Sequence, residues 1–182
     1  MTLSNTGEPG FQQAFHKREG VLFKHIAFWA AFTILGIWGQ YFMPGMDFFS
    51  PGLVVLVQSG YYSTALWMGL LWMLLLEGSG NLAFGTVILY YSGLLAAYFS
   101  ASAFFEAKNL LFMAILYLFL SVLKKVLIQV MAGMQGLGQS VDFALEPVLV
   151  QFVLYFLLWC ITFYVFHKCL MHEPVRGKKS AA

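Results

Sequence analysis

The sequence carries too little charge to cover a soluble surface. Of its 182 residues 10% are Asp, Glu, Lys or Arg and 60% are apolar. Soluble domains average roughly 45–50% apolar and about 25% charged. Composition therefore argues against a water-facing fold and for lipid as the solvent. Cysteine is nearly absent. Cys160 and Cys169 stand in one apolar stretch without CxxC or zinc spacing. They read as buried or lipid-facing thiols and reveal no redox compartment.

Catalytic signatures are missing too. The chain has no Walker loop, GxSxG, HExxH or Cys/His cluster. It has no paired carboxylates and no nucleophile–base set that would mark an enzyme. No cofactor, metal or nucleic-acid partner is expected. His167 and His172 flank Cys169 and have haem or metal ligation as one reading. Beside Lys168, at a membrane–cytoplasm boundary, they read instead as a solvated tail. His16 and His25 in the basic N-terminal flank read the same way.

What the chain does have is apolar length and aromatic rings. Aromatics are 18% of the residues, 19 of them Phe, which suits lipid-facing helices and interfacial belts. Residues 1–25 form a polar tail with Lys17, Arg18 and Lys24. The apolar run 26–42 follows, and at about 1.5 Å per residue it nearly crosses a hydrocarbon core of about 30 Å. The polar lead is long and the run ends in Gln40, Tyr41 and Phe42. That pattern predicts an uncleaved first span rather than a signal peptide.

Further spans are expected at 82–103, 110–131 and 147–166, separated by polar or glycine-rich turns. Segment 53–76 has two readings. Gln58-Ser59-Gly60 and Tyr61-Tyr62-Ser63-Thr64 interrupt it, so it is one tilted helix, or two short spans, 53–61 and 65–76, joined by a tight polar turn. The second reading requires a thinned membrane or broken helices. In span 82–103, Gly93 and Ala97 form a small-xxx-small pair that lets another helix approach. Small residues are also simply common in membrane helices.

Charge placement decides between the readings. Lys17, Arg18 and Lys24 precede the first span, and Lys168, Arg176, Lys178 and Lys179 follow the last. The positive-inside rule puts both ends in the cytoplasm, so the number of crossings is even. The expected fold is an all-α integral membrane bundle of about six transmembrane helices with a short or broken second and third span. It occupies 26–166, and 167–182 is a basic cytoplasmic tail. Lys108 in the 106–109 turn also falls inside. Lys124 and Lys125, near the outer end of the fifth span, are the exceptions.

Ionisable groups at membrane depth are costly and often functional. Glu77 and the two lysines fall at similar depth, so an ion pair between Glu77 and one lysine is one expectation. Ser121, Lys125 and Gln129 recur every four residues and predict a polar stripe facing the bundle. Lys124 then points outward and snorkels. The alternative is that both lysines snorkel and pair with nothing. Asp47, Asp142 and Glu146 fall in outer loops without nameable partners, and Glu106 reads as solvated.

The stretch from Gly69 through Glu77, Gly78 and Gly80 to Gly85 resembles the central signature of the MreD family of bacterial rod-shape-determining membrane proteins. A glycine, an apolar run, an acidic residue, a small or polar turn and a further glycine follow in order. Ser50-Pro51-Gly52 before an apolar run resembles that family's second span. The family usually has Asp where this chain has Glu77, and the Lys124-Lys125 pair is not a pattern associated with it. Membership implies a non-enzymatic scaffold in the cytoplasmic (inner) membrane. Its partners would be the bilayer and other membrane proteins of the elongation complex that builds lateral peptidoglycan. The family is similar in fold to the substrate-binding subunits of energy-coupling-factor vitamin transporters, which gives a second expectation. For that role Gln58, Asn81, Gln129 and Gln151 are the few polar candidates. An accessory subunit of another membrane complex is the third.

Overall fold

Apolar runs punctuated by Gly, Pro and polar turns fold as helices. The computed structural model describes residues 9–78, 85–105, 109–134 and 145–168, with side chains from residue 23 apart from that of Ala132. Among the described residues six helices follow one another: α1 (Pro9–Phe42), α2 (Ser50–Gln58), α3 (Tyr62–Gly78), α4 (Thr86–Ser102), α5 (Leu110–Met134) and α6 (Leu145–Phe166). No strand occurs among the described residues. The tails 1–8 and 169–182 and the turns 79–84, 106–108 and 135–144 lie outside the description, as do Gly80, Asn81, Lys108, Asp142 and Cys169.

Segment 53–76 is two helices. The break falls at Ser59-Gly60-Tyr61, where Gly60 takes a φ of +80°, a left-handed conformation that glycine adopts without a Cβ penalty. α2 has only 9 residues, about 14 Å of helix, less than half a hydrocarbon core. It is the innermost element, with every residue from Ser50 to Val57 buried.

Side-chain contacts give the bundle two ends. At one, Tyr61 (after α2) and His25 (in α1) meet Phe166 (at the close of α6). At the other, Asp47 (before α2) meets Gln151 in α6, and Gln151 meets Lys124 in α5. Tyr62 touches Phe99, and Tyr98 touches Phe112, so α3 begins, α4 ends and α5 begins toward the first end. Successive helices therefore alternate in direction, and the start of the described α1 side chains and the end of α6 share one end.

Aromatic rings tie α1 and α3 to α2. Trp72 of α3 is fully buried and stacks on Phe49 with centroids 5.3 Å apart. Its indole N–H donates to Thr33 Oγ1 at 2.9 Å. Gly52 lets this block close, because a Cβ there would lie 2.6 Å from the Phe32 ring and 3.0 Å from Trp72. Gly52→Ala is therefore expected to lower stability by about 1–3 kcal/mol through overpacking. Gly78→Ala, where nothing lies within 4 Å, leaves it unchanged or slightly raised. Thermal melts of the two variants check the pair.

Much of the exterior is apolar. Leu35 is 70% exposed, Trp67 69% and Leu74 66%. Among the described residues two stretches, Leu110–Met131 and Leu145–Phe166, are long and apolar enough to cross a membrane. That is the extent to which length and composition mark spanning helices here.

Candidate functional site

The densest polar cluster lies where the connection between α1 and α2 turns inward. Asp47 is 3% exposed, contrary to the expectation of an outer-loop residue without partners. Its Oδ1 accepts the backbone N–H of Phe49 at 2.8 Å and of Ser50 at 3.4 Å. These bonds satisfy amides that the first turn of α2 leaves without helical acceptors. Its Oδ2 accepts from the Ser50 hydroxyl and from the Tyr155 hydroxyl, the latter at 3.2 Å. Tyr155 and Tyr90 share a hydrogen bond of 2.7 Å between their hydroxyls. One carboxylate thus joins α2, α4 and α6.

Gln151 extends the cluster. Its Nε2 donates to the Asp47 carbonyl at 3.2 Å, and its Oε1 accepts the Asp47 N–H at 3.3 Å. The same Oε1 accepts from Lys124 Nζ at 3.1 Å, and Lys124 donates again to the Gly45 carbonyl at 2.8 Å. Lys124, at 9% exposed, is the inward-facing lysine, and Lys125 is half-buried. This reverses the orientation read from the four-residue stripe. The reason is that α5 packs against both α4 and α6, which centres its buried arc on Tyr117, Leu120, Ser121 and Lys124. That is the i, i+3, i+4, i+7 pattern of a helix face. Ser121 donates to the Tyr117 carbonyl within its own helix at 2.8 Å, and Gln129 is half-buried.

Glu77 makes a different bond from the ion pair expected of it. Its Oε1 accepts the N–H of Gly85 at 3.0 Å, while Lys124 is bonded to Gly45 and Gln151. Gly85 is the N-cap of α4 with a φ of +87°, so the carboxylate holds a left-handed glycine across the turn between α3 and α4. Gly69 is buried against Leu53, and Gly78 has open space around its Cα. Gly93 faces α5, where a Cβ would meet Leu123 at 3.0 Å. Ala97 lines a largely apolar groove of about 390 Å³ between α4 and α5, walled by Phe104, Phe105 and Phe112. A lipid tail or an apolar helix covers such a wall equally well.

The remaining candidates are dispersed. Gln58 Oε1 accepts the Trp159 indole N–H at 3.1 Å. His25 packs on Tyr61 and Phe166, and His167 lies on Phe163 with ring centroids 4.3 Å apart. Both rings are half-buried, contrary to the reading of solvated flanks. Among the described residues no group of three or more His, Cys, Asp or Glu is placed to hold a metal ion. Cys160 is a free thiol.

A cleft of about 240 Å³ opens beside the Asp47 cluster, lined by Lys124, Lys125, Ser121 and Gln151 with Met46 and Val148. The sequence carried one unused sign of this cluster. Asp47, Ser50 and Pro51 just before an apolar run form a helix-start signature, and such a carboxylate is held at a helix end rather than loose in a loop. No protein-family model, curated protein or solved structure matches the chain.

Proposed function

We propose that the chain is a multi-pass protein of the bacterial cytoplasmic membrane with six crossings and both termini inside. In this reading it serves as a non-enzymatic scaffold subunit of the cell-elongation machinery that makes lateral peptidoglycan. The observation that carries the reading is the Glu77–Gly85 bond. The resemblance to rod-shape-determining proteins rests on an acidic residue, a small or polar turn and a glycine, and the bond supplies a physical reason for that spacing. A carboxylate at the end of α3 caps the glycine that opens α4, and Glu serves in place of Asp because it still reaches the amide.

The alternating helix directions support the six-crossing topology, and the exposed apolar exterior suits lipid. The short α2 takes its place as a span shielded from lipid by its neighbours, the setting in which incomplete helices are tolerated at membrane depth. The vitamin-transporter alternative needs a polar chamber. Ligand pockets run roughly 300–1,000 Å³, and the polar cleft lined by described residues, at about 240 Å³, falls below that. Partner membrane proteins would bind the lipid-facing surface. Depletion of the chain in a rod-shaped bacterial host that encodes it tests the role. Rounding cells are the expected outcome, and cells that stay rod-shaped overturn it.

A further inference from the structure

We propose that the cleft at the Asp47 end binds the phosphate of an anionic phospholipid, with Lys124 deep in the cleft and Lys125 nearer its mouth. The proposal rests on the membrane-spanning reading, which puts this end at the outer leaflet, and not on the scaffold role.

Four features converge on the cleft. First, Lys124 is 9% exposed and lines it. Of its three ammonium protons two are used, by Gly45 and Gln151, and the third has no acceptor among the described residues. Second, Lys125 lines the same cleft, and no described residue accepts a hydrogen bond from it. Third, the nearest carboxylate is already engaged, because Asp47 accepts from the amides of Phe49 and Ser50 and from the hydroxyls of Ser50 and Tyr155. Glu146 is exposed on the first turn of α6 and is not part of the lining. Fourth, Pro147 and Val148 of that first turn do line the cleft, so the positive end of the α6 dipole adds to the two ammonium groups.

The shape selects an amphiphile over a free anion. Met46, Ile128, Pro147 and Val148 give the cleft an apolar wall beside the lysines, which suits the glycerol and upper acyl carbons of a lipid and offers nothing to inorganic phosphate. Depth agrees. Lys124 is seven residues short of the end of the apolar stretch Leu110–Met131, about 10 Å of helix. That is close enough to the headgroup region for a lysine to engage a lipid phosphate.

Native mass spectrometry of the full chain in a neutral detergent tests this, with titrated phosphatidylglycerol as the lipid probe and inorganic phosphate and glycerol phosphate as the soluble probes. A single-lipid adduct is expected for phosphatidylglycerol and none for the soluble probes at the same concentrations. Lys125→Ala raises the half-saturating lipid concentration about tenfold, the effect of one charge-assisted hydrogen bond. It is chosen over a Lys124 variant because Lys125 lies outside the buried network. Lys24→Ala, a cation toward the other end of the bundle, leaves binding unchanged. Equal binding by wild type and Lys125→Ala overturns the proposal, and so does an equal loss in Lys24→Ala. Binding of a soluble probe as strong as that of the lipid overturns the lipid assignment. The readout is independent of cell shape, so a missing adduct and rod-shaped depleted cells are separate failures.

Discussion

Asp47→Leu abolishes a stable bundle, and no other single substitution is expected to do more damage. The Asp47 side chain accepts from two backbone amides and two hydroxyls, and leucine accepts from none. Each buried donor left without a partner costs about 1–3 kcal/mol. The Asp47 carboxylate also attracts the buried Lys124 ammonium, so its removal leaves that buried charge less well balanced. Together these approach the whole stability of a typical domain, about 5–15 kcal/mol. Asp47→Asn is milder, because its carbonyl oxygen still accepts the Phe49 and Ser50 amides. Combining Asp47→Asn with Lys124→Met removes both charges and recovers part of the loss. A double-mutant cycle on thermal unfolding in detergent reads that coupling. Strict additivity of the two changes would show that the lysine and the carboxylate do not stabilise each other.

Trp72→Ala has the second largest effect. The ring is fully buried between Phe49 and residues of α1, and its N–H is bonded to Thr33. Truncating a buried aromatic to alanine costs about 3–5 kcal/mol, roughly 10 °C in melting temperature for a chain of this size. Trp67 is 69% exposed, and Trp67→Ala shifts the melt little. A Trp72→Ala melt as small as that of Trp67→Ala would mean that α3 is not held through this ring.

How much of this was legible in the sequence differs from element to element. The breaks between helices were, because Met43-Pro44-Gly45 and Ser59-Gly60 are residue types that end helices for backbone reasons. So was the division of 53–76, since a polar turn with glycine interrupts an otherwise apolar run. The orientation of α5 was not. A stripe at four-residue spacing chose Lys125, but two packed neighbours decide which arc is buried, and they chose Lys124. Asp47 was hidden for a related reason. A carboxylate among prolines and glycines reads as a solvated turn, yet its partners Gln151 and Tyr155 stand 104 and 108 residues away, and no local pattern announces them. Glu77 stood out as a charge at the close of an apolar run. Its partner was a backbone amide eight residues on, and backbone amides leave no trace in residue identity.

Cysteine accessibility in intact cells tests the proposed six-crossing topology most directly. In a background with Cys160→Ser and Cys169→Ser, single substitutions Lys24→Cys, Gly45→Cys and Lys168→Cys, all at exposed positions, are treated with a membrane-impermeant maleimide before and after permeabilisation. The proposed topology predicts that Gly45→Cys labels from outside and that Lys24→Cys and Lys168→Cys label only once the membrane is opened. Labelling of Lys24→Cys and Lys168→Cys on opposite sides would contradict it.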